Sequence, residues 1–481
     1  MSSQKQFIEE SVNSLSEKTR QIARKIWEYA ELSYTEVFSS AELIKAFEQE
    51  GFEIESDIAD IPTAFKAVYT VGTGKISCGI LGEYDALDGL SQKAACSSRE
   101  AIIPGGAGHG CGHNLLGAGS FAAAVSIARY IKENNISARV VYFGCPAEEG
   151  AGSKQFIARA GYFDGIDFVY TWHPATMNEV QSKGSVAIMG ANFTFEGTAA
   201  HAGGSPHLGR SALDACELMN VGVNYLREHM LDTARVHYAY SDAGGTAPNV
   251  VQDHAVIKYE VRAPKVKNMQ ELFARVVNIA KGAALMTETA MNYEVTMAFS
   301  DYLPNKTLAV IADRALKEIG APCWEESDYA FAAEMLRTYS KSTLKDIKER
   351  LGEIFPPEGL DELMAKPLDS VIHPFNMNEK TYESGSTDVG DVGYATPAVN
   401  INIATACLGN VGHSWQNTAF SNSETGMKGM LTAAKVMALS AIYTLEDPDA
   451  IQRAKQELKL KNGGKYICPL PDYVSPPIGK Y

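Results

Sequence analysis

The residues Gly108–Asn114 offer the clearest potential for chemistry. Cys111 and His113 lie two positions apart on this glycine-rich stretch, and His109 precedes them. A thiolate and an imidazole are favoured ligands of zinc and similar divalent metals. The pattern therefore predicts a metal site, with a thiol nucleophile formed by Cys111 and His113 as the alternative. His109 either supports a ligand through a hydrogen bond or stabilises the turn.

Two adjacent carboxylates, Glu148 and Glu149, come later in the chain, in Pro146–Gly150. The apolar run before them predicts a buried strand, so both carboxylates should lie at the end of a sheet. One of them can bind metal while the other accepts a proton from water. Asp85 also follows an apolar run. Its carboxylate is predicted to hold an imidazole ligand in one tautomer through a hydrogen bond.

Two further histidines, His173 and His413, are predicted to follow other strands. Open α/β sheets bind ligands at the carboxyl ends of their strands, so groups distant in sequence can converge there. The predicted metal ligands are Cys111, His113, Glu149, His173 and His413. Five side chains exceed the needs of one tetrahedral ion, so a two-metal site with a shared ligand is predicted.

Composition restricts the class of protein. The chain has 481 residues, of which 45% are hydrophobic and 21% charged, and this length favours two domains. A net charge of −15 argues against nucleic-acid binding, which needs basic side chains. No apolar run is long enough to span a membrane. The eight cysteines form no disulfide framework, and the cytoplasm is the expected location.

Apolar runs of strand length alternate with helical patterns through most of the chain. The predicted strands are 64–71, 76–81, 140–144, 168–172 and 399–404, and the helical patterns include 7–50, 115–131 and 306–320. Continuously apolar strands between helices predict an α/β fold, with a mixed, largely parallel sheet and helices on both faces.

Residues 186–302 follow a different pattern. Strands are predicted at 186–195, 235–241, 255–262 and 291–298, and helices at 211–228 and 270–285. This βαββαβ order predicts a ferredoxin-like domain inserted into a catalytic domain made of 1–185 and 303–481. Two chain crossings would form the hinge. Residues 325–385 are predicted to add helices to the catalytic domain, and the proline-rich residues 466–481 to be extended.

Three polar side chains of the inserted domain are candidates for substrate contacts. His201 ends a predicted strand and is suited to stabilising an oxyanion. Asn249 and Arg262 flank a predicted hairpin, and an amide with a guanidinium suits a substrate carboxylate. The alternative for each is an ordinary surface position.

The chain resembles the M20 metallopeptidase family, in its amidohydrolase branch, over nearly its whole length. Residues 109–114 resemble the branch's His-Ala-Cys-Gly-His-Asp motif, and 146–149 match its Pro-Ala-Glu-Glu motif. Residues 196–209 resemble its lid motif. Two positions depart from the branch: Glu83 stands where an Asp is usual, and Asn114 replaces the motif's Asp.

The resemblance implies a zinc-peptidase-like catalytic domain with two divalent ions per subunit, manganese or zinc, held by the five ligands named above. It implies Glu148 as the general base and a small N-acyl amino acid substrate, p-aminobenzoyl-glutamate, cleaved at its amide. It further implies dimerisation through the inserted domain, as a homodimer or with a homologous subunit. His201 would then complete the partner's site, while Asn249 and Arg262 hold the substrate carboxylate.

Two alternatives to this function remain from the sequence. One is a dipeptidase or N-acyl amino acid hydrolase of the same branch with other substrates, such as Xaa-Lys and Xaa-Arg dipeptides. The other is a non-catalytic subunit paired with a homologous chain, which the presence of Glu148 disfavours.

Overall fold

The computed structural model describes residues 2–383 and 385–479, which form an α/β protein. Its strands are β1 Glu53–Ser56, β2 Phe65–Thr70, β3 Ile76–Gly82, β4 Ala138–Gly144, β5 Phe168–Ala175, β6 Asn178–Val180, β7 Gly184–Ser185, β8 Ala187–Glu196, β9 Arg235–Asp242, β10 His254–Ala263, β11 Ala290–Phe299, β12 Ile372–His373, β13 Tyr382–Glu383 and β14 Ala398–Ala404. Its helices are α1 Ser3–Tyr29, α2 Val37–Gln49, α3 His113–Glu133, α4 Lys154–Arg159, α5 Ala212–Leu226, α6 Val266–Thr287, α7 Lys306–Ile319, α8 Glu326–Leu336, α9 Lys341–Gly352, α10 Leu360–Ala365, α11 Val389–Ala395, α12 Trp415–Ser421, α13 Glu424–Leu445 and α14 Pro448–Asn462.

The larger sheet has eight strands in the order β1-β2-β4-β3-β5-β14-β6-β12. The central strands β4, β3, β5 and β14 run parallel to one another, while the pairs β1–β2, β2–β4 and β14–β6 are antiparallel. This confirms the mixed, largely parallel sheet. The carboxyl ends of β3, β4, β5 and β14 consequently lie at the same edge, as the predicted convergence of the polar groups requires.

Helices cover both faces of this sheet, which explains why its central strands are continuously apolar. On one face α1, α3 and α13 pack together around Phe121 and Trp172. On the other face, Phe143 and Val169 belong to a second apolar cluster. Within the described residues no helix is long and apolar enough to cross a membrane.

A second, antiparallel sheet has the order β11-β8-β10-β9, with α5 and α6 packed against it. The chain order β8-α5-β9-β10-α6-β11 confirms the predicted ferredoxin-like βαββαβ unit. The division of the chain into two domains at 186 and 302 stays a prediction, since sheet membership alone does not define independent folding units.

Residues 325–385 contain α8, α9 and α10, as predicted. Met335, Ile347 and Phe420 belong to a small apolar cluster of their own, which attaches this segment to α12. The tail has no helix or strand between 466 and 479, the last residue described, and the end of the predicted extended segment lies outside the described residues. Its Val474 is buried, and the Arg159 Nη2 donates a hydrogen bond to the Val474 carbonyl at 2.7 Å.

Candidate metal centre

A tight loop brings Cys111 and His113 to the amino-terminal end of α3. Gly112 precedes the helix with a φ of +84°, a left-handed conformation that suits glycine. At Gly108 a Cβ would lie 2.2 Å from the Leu90 carbonyl oxygen, so the loop approaches other backbone too closely for any side chain. These glycines place the thiol and the imidazole at the carboxyl edge of the sheet.

The tautomer of His113 is fixed by Asp85. The Nδ1 of His113 donates to the Asp85 Oδ1 at 2.8 Å, because a carboxylate accepts hydrogen bonds. The lone pair of Nε2 then points into the site. Burial opposes protonation of this ring, but the neighbouring Cys111, Asp85 and Glu83 raise the pKa of His113 well above its usual value, so its surroundings favour a cation at Nε2, either a proton or a metal ion.

His173 lies inside β5 rather than after it. The strand continues to Ala175, three residues beyond its predicted end at 172. Its Nδ1 donates to the Pro174 carbonyl oxygen at 2.8 Å, so its Nε2 lone pair also faces the site. This Nε2 is 3.5 Å from the Cys111 Sγ. The rings of His113 and His173 are perpendicular, with centroids 5.9 Å apart.

Glu149 and His413 form the outer part of the site. The backbone N–H of Glu149 donates to the Asp85 Oδ2 at 2.8 Å, which fixes the turn after β4. His413 has a φ of +53° and donates its backbone N–H to the Gly110 carbonyl at 3.0 Å. Its Nε2 lies 3.2 Å from the Glu149 Oε1, and its side chain is 57% exposed.

The five predicted ligands form two groups that share the Cys111 Sγ. Cys111, His113 and His173 make one group, and Cys111, Glu149 and His413 the other, with the ligand atoms of each group within 4.8 Å of one another. Three buried atoms, Glu83 Oε2, His113 Nε2 and Glu149 Oε1, make no hydrogen bond of good geometry within the described residues. The first two lie 3.3 Å apart, and Glu149 Oε1 lies 3.2 Å from the Nε2 of the exposed His413 ring. Unpaired buried acceptors facing one another suit cations, so these residues fit a two-metal site.

Glu148 follows a strained backbone position and lies beside the metal ligands. Ala147 has a φ of +62°, and its N–H donates to the buried Glu36 Oε1 at 2.8 Å. The Glu148 Oε2 lies 4.0 Å from the His113 Nε2. Burial, with the charges of Glu83 and Glu149, raises the pKa of Glu148 well above that of an ordinary glutamate.

A cavity of about 380 Å³ opens beside these groups. Its lining includes Cys111, Glu148, Glu149, His173 and His413 together with Glu83, Thr171, Trp172, Ala175, Gln181, Ser185, Tyr302, Glu383, Gly385, Ser386, Thr387, Val389, Asn400 and Asn402. Arg262 reaches its wall, because the Arg262 Nη1 donates to the Ser386 Oγ at 3.2 Å. A small polar substrate can therefore lie against the metal-binding groups.

His201 and Asn249 do not line this cavity. Both are exposed, and the Asn249 carbonyl accepts a hydrogen bond from the Ala202 N–H at 2.9 Å. The Nδ1 of His201 accepts from the N–H groups of Gly203 and Gly204 at 3.1 and 2.9 Å. The proton of a neutral His201 ring consequently sits on Nε2, which is left as a donor.

Sequence reasoning missed a buried ionic network behind the site. The Lys154 Nζ lies 2.7 Å from the Glu83 Oε1 and 2.6 Å from the Asp388 Oδ1. Glu36, which supports Ala147, was also missed. Of these residues only Asp388 could have been suspected from the sequence, because it lies in a polar segment, 386–391, that precedes β14. Nothing in the sequence distinguishes Lys154 or Glu36 from surface residues.

Comparisons with known proteins find a similar family, similar relatives and a similar fold. The model of peptidase family M20/M25/M40 matches residues 79–346. A subunit of the p-aminobenzoyl-glutamate hydrolase of Escherichia coli strain K12 is 38% identical, over 98% of this chain and 98% of that protein. The mouse Xaa-Arg dipeptidase is 27% identical, over 94% of this chain and 91% of its own. A dinuclear metal-binding peptidase of the M20 family from Bacillus subtilis has a similar fold, with a TM-score of 0.58 at 16% identity, over 90% of this chain and 98% of its own.

Proposed function

This chain belongs to peptidase family M20/M25/M40, and from that premise we propose that it hydrolyses the amide bond of p-aminobenzoyl-glutamate with the help of two divalent ions. Membership of the family makes it a metal-dependent hydrolase of amide bonds. The relative of Escherichia coli, which aligns end to end with this chain, supports the choice of substrate.

One observation carries the two-ion proposal: the two groups of possible ligands share the Cys111 Sγ. Cys111, His113 and His173 would hold one ion, and Cys111, Glu149 and His413 the other. Zinc takes sulfur, nitrogen and oxygen donors alike, and the carboxylate donor also suits manganese. A thiol nucleophile at Cys111 is the alternative, and it would keep its activity after removal of metal, whereas the two-ion site would lose it.

In the proposed mechanism, the ions supply Lewis acidity when bound, acidifying a water and polarising the amide carbonyl. Glu148 takes a proton from the attacking water and later delivers it to the leaving nitrogen. Asp85 keeps the His113 ring oriented through the hydrogen bond at Nδ1. Arg262, at the wall of the cavity, binds the carboxylate of the substrate.

The roles of His201 and Asn249 are proposed to require a second chain. Neither lines the cavity of its own chain, so we assign them to the site of a partner, where the Nε2–H of His201 donates to the oxyanion. Residues 186–302 would then serve as the lid and dimerisation domain. The partner is a second copy or a homologous chain, in keeping with the name of the Escherichia coli relative, which makes it one subunit of a hydrolase.

A cytoplasmic location stays a prediction. All eight cysteines are unpaired, which suits a reducing compartment.

The proposal is tested by assaying the purified chain after removal of metal and addition of manganese or zinc. We expect release of p-aminobenzoate from p-aminobenzoyl-glutamate, and its loss on chelation. Glu148→Gln should lower kcat by about 100- to 10,000-fold, because it removes the general base. The same variant should keep its bound metal, measured by mass spectrometry. Full activity of Glu148→Gln would remove Glu148 from the base role.

A second candidate is a dipeptidase for substrates with a basic residue, which the mouse relative suggests. The observation that favours it is the acidic cavity: Glu83, Glu148, Glu149 and Glu383 line it, whereas Arg262 only reaches its wall, at Ser386. Assaying Xaa-Arg and Xaa-Lys dipeptides beside p-aminobenzoyl-glutamate distinguishes the two. A higher kcat/KM for the dipeptides would replace the first substrate with the second.

A further inference from the structure

Glu83 is a buried carboxylate at the carboxyl end of β3 whose two oxygens have different surroundings. Its Oε1 accepts from the Lys154 ammonium at 2.7 Å. Its Oε2 is buried and has no hydrogen-bond partner within the described residues. Leaving a buried anionic oxygen unpaired is costly, so a group of opposite charge is expected beside it.

The Oε2 of Glu83 faces another unpaired acceptor. It lies 3.3 Å from the His113 Nε2, whose lone pair points into the site because Asp85 accepts from Nδ1. The Glu148 Oε2 lies 4.0 Å from the same nitrogen, and the ligand atoms of Glu83, His113 and Glu148 are all within 4.8 Å of one another. A proton on Nε2 would satisfy one acceptor, whereas a divalent cation satisfies several at once.

Lys154 and Asp388 hold the Glu83 carboxylate in this orientation. The fully buried Lys154 ammonium contacts the Asp388 Oδ1 at 2.6 Å as well as Glu83. The Asp388 Oδ2 accepts from the backbone N–H groups of Ser153 and Lys154 at 2.9 and 3.0 Å. Two carboxylates around one ammonium leave a net negative charge, and the unpaired oxygen of Glu83 presents it to the site.

We propose that Glu83 is a sixth metal-binding residue, which binds through Oε2 the same ion as the His113 Nε2. The inference rests on the proposed two-ion function and adds a ligand to it. This role would also explain why a Glu stands at position 83, where the resembled branch usually has an Asp. The extra methylene lets one carboxylate oxygen reach the His113 imidazole while the other contacts Lys154. The Lys154–Asp388 pair then acts as the outer support of this ligand.

One consequence is that the two ions are held unequally. Beside the first ion, His113 is buried and Cys111 and His173 are partly buried, and the buried Glu83 adds a further anionic donor. The ion beside Glu149 depends on His413, whose side chain is 57% exposed. A chelator should therefore remove the second ion faster than the first.

The test is Glu83→Gln, which keeps the shape of the side chain and removes its charge. Metal content after dialysis and titration with Mn²⁺ and Zn²⁺ are measured on the full chain, with the visible spectrum of the Co²⁺ form reporting the ligand set. We expect one of two ions to bind at least about 100-fold more weakly, since the loss of outer-shell partners alone costs about 10- to 100-fold. The slow phase of chelation should disappear.

The matched control is Asp328→Asn, which removes a buried carboxylate paired with a lysine elsewhere. The Asp328 Oδ2 lies 2.6 Å from the Lys428 Nζ, and Asp328 does not line the cavity. This variant should bind both ions like the unmodified chain. Unchanged affinity and an unchanged Co²⁺ spectrum in Glu83→Gln would overturn the role of Glu83 alone, whereas an unmodified chain that binds no ion would overturn the proposed function as well.

A second measurement does not depend on the folding of the variant. Anomalous diffraction from metal-loaded crystals of the unmodified chain should place an ion about 2.0–2.2 Å from the Glu83 Oε2. An ion on the His113 Nε2 with Glu83 turned away from it would contradict the proposal.

Discussion

Single residues at this site are prepared for their roles by hydrogen bonds on the side facing away from it. His113 and His173 each donate Nδ1–H to an oxygen that can only accept, so both present a free Nε2. Asp85 also accepts from the Glu149 N–H, and it therefore positions one ligand from each group. These hydrogen bonds hold the ligand side chains in place, which reduces the ordering cost of binding an ion.

Cys111 should affect both ions, because its Sγ belongs to both groups of ligands. Cys111→Ala is expected to weaken the binding of each ion at least about tenfold, since even outer-shell losses cost about 10- to 100-fold. His413→Ala should weaken only one. Metal titration of the two variants checks this. Cys216→Ala is the control, because Cys216 is a buried cysteine in α5, which packs against the second sheet and contributes nothing to the metal centre. A Cys111→Ala chain that loses one ion only would show that the thiol is not shared.

Asn114 illustrates why a departure from a motif can be structural. Its Nδ2 donates to the carbonyls of Ala23 and Ser421 at 3.2 and 2.8 Å, which a carboxylate cannot do. Asn114→Asp should lower the free energy of unfolding by about 2–4 kcal/mol, because two buried carbonyls lose their donor and a carboxylate is buried in its place. Urea unfolding measures the change, with the exposed Asn292→Asp as control. Equal stability of both variants would contradict this structural role of Asn114.

Among the elements, α3 has the strictest requirement, because it must approach the end of β3 closely. A Cβ on Gly117 would lie 2.6 Å from the Glu83 carbonyl oxygen. Gly117 therefore allows the helix that carries His113 to pack beside the segment after β3, which carries Glu83 and Asp85. The close approach explains why a glycine stands at position 117 although glycine has a low helix propensity.

Gly117→Ala is expected to destabilise the chain by about 1–3 kcal/mol, since the new methyl group displaces backbone and outweighs the gain in helix propensity. Gly282→Ala, inside the last two turns of α6, is the matched control. A Cβ there meets no atom within 4 Å, so the same change should stabilise by up to about 1 kcal/mol. Thermal unfolding of the two variants should give shifts of opposite sign; shifts of the same sign would contradict the packing argument.

The elements themselves were largely predictable from sequence. Apolar periodicity located β3, β4, β5 and β14 within a few residues, and the βαββαβ order of the inserted unit was correct. The buried charges were not predictable. Lys154 looks like the first residue of a surface helix, and only the folded chain shows that it lies between Glu83 and Asp388. Pattern methods assign charged residues to the surface, so an ionic network inside the protein escapes them.

At the scale of the whole molecule, the order of strands brings the site together. β14 pairs in parallel with β5, and the chain that follows β14 can therefore return to the loop before α3. The His413 N–H reaches the Gly110 carbonyl by this route, across some three hundred residues of sequence. No local pattern encodes such an adjacency, although the shared edge of parallel strands made the convergence itself predictable.

The return of the chain from the second sheet to the first is organised around Asp391. Its Oδ2 accepts from the Ser300 N–H at 3.0 Å, and its Oδ1 accepts from the Ser300 Oγ at 2.7 Å and the Tyr466 hydroxyl at 2.8 Å. Ser300 directly follows β11, and Tyr466 begins the tail. One buried carboxyl in α11 thus connects the inserted unit, the main sheet's helices and the tail.

Burial raises the pKa of Asp391 to about 7, despite the hydrogen bonds from Ser300 and Tyr466 that favour its ionised form. The unfolded chain releases this proton near the ordinary value of 3.8, so the folded chain binds more protons between these two values. Its contribution to stability is complete below about pH 4 and is lost as the pH rises through about 7, by at most about 1.4 kcal/mol per pH unit.

Asp391→Asn should remove this dependence, because an amide does not titrate. The free energy of unfolding of the metal-free variant, measured in urea between about pH 5 and about pH 8, should fall less steeply with pH than that of the unmodified chain. Asp361→Asn is the control: the hydrogen bond from Lys348 holds the pKa of this exposed carboxyl below its usual value, so the carboxyl is already ionised over this range. Its curve should run parallel to that of the unmodified chain. Parallel curves for Asp391→Asn would mean that the carboxyl joining the two sheets keeps its charge in the folded protein.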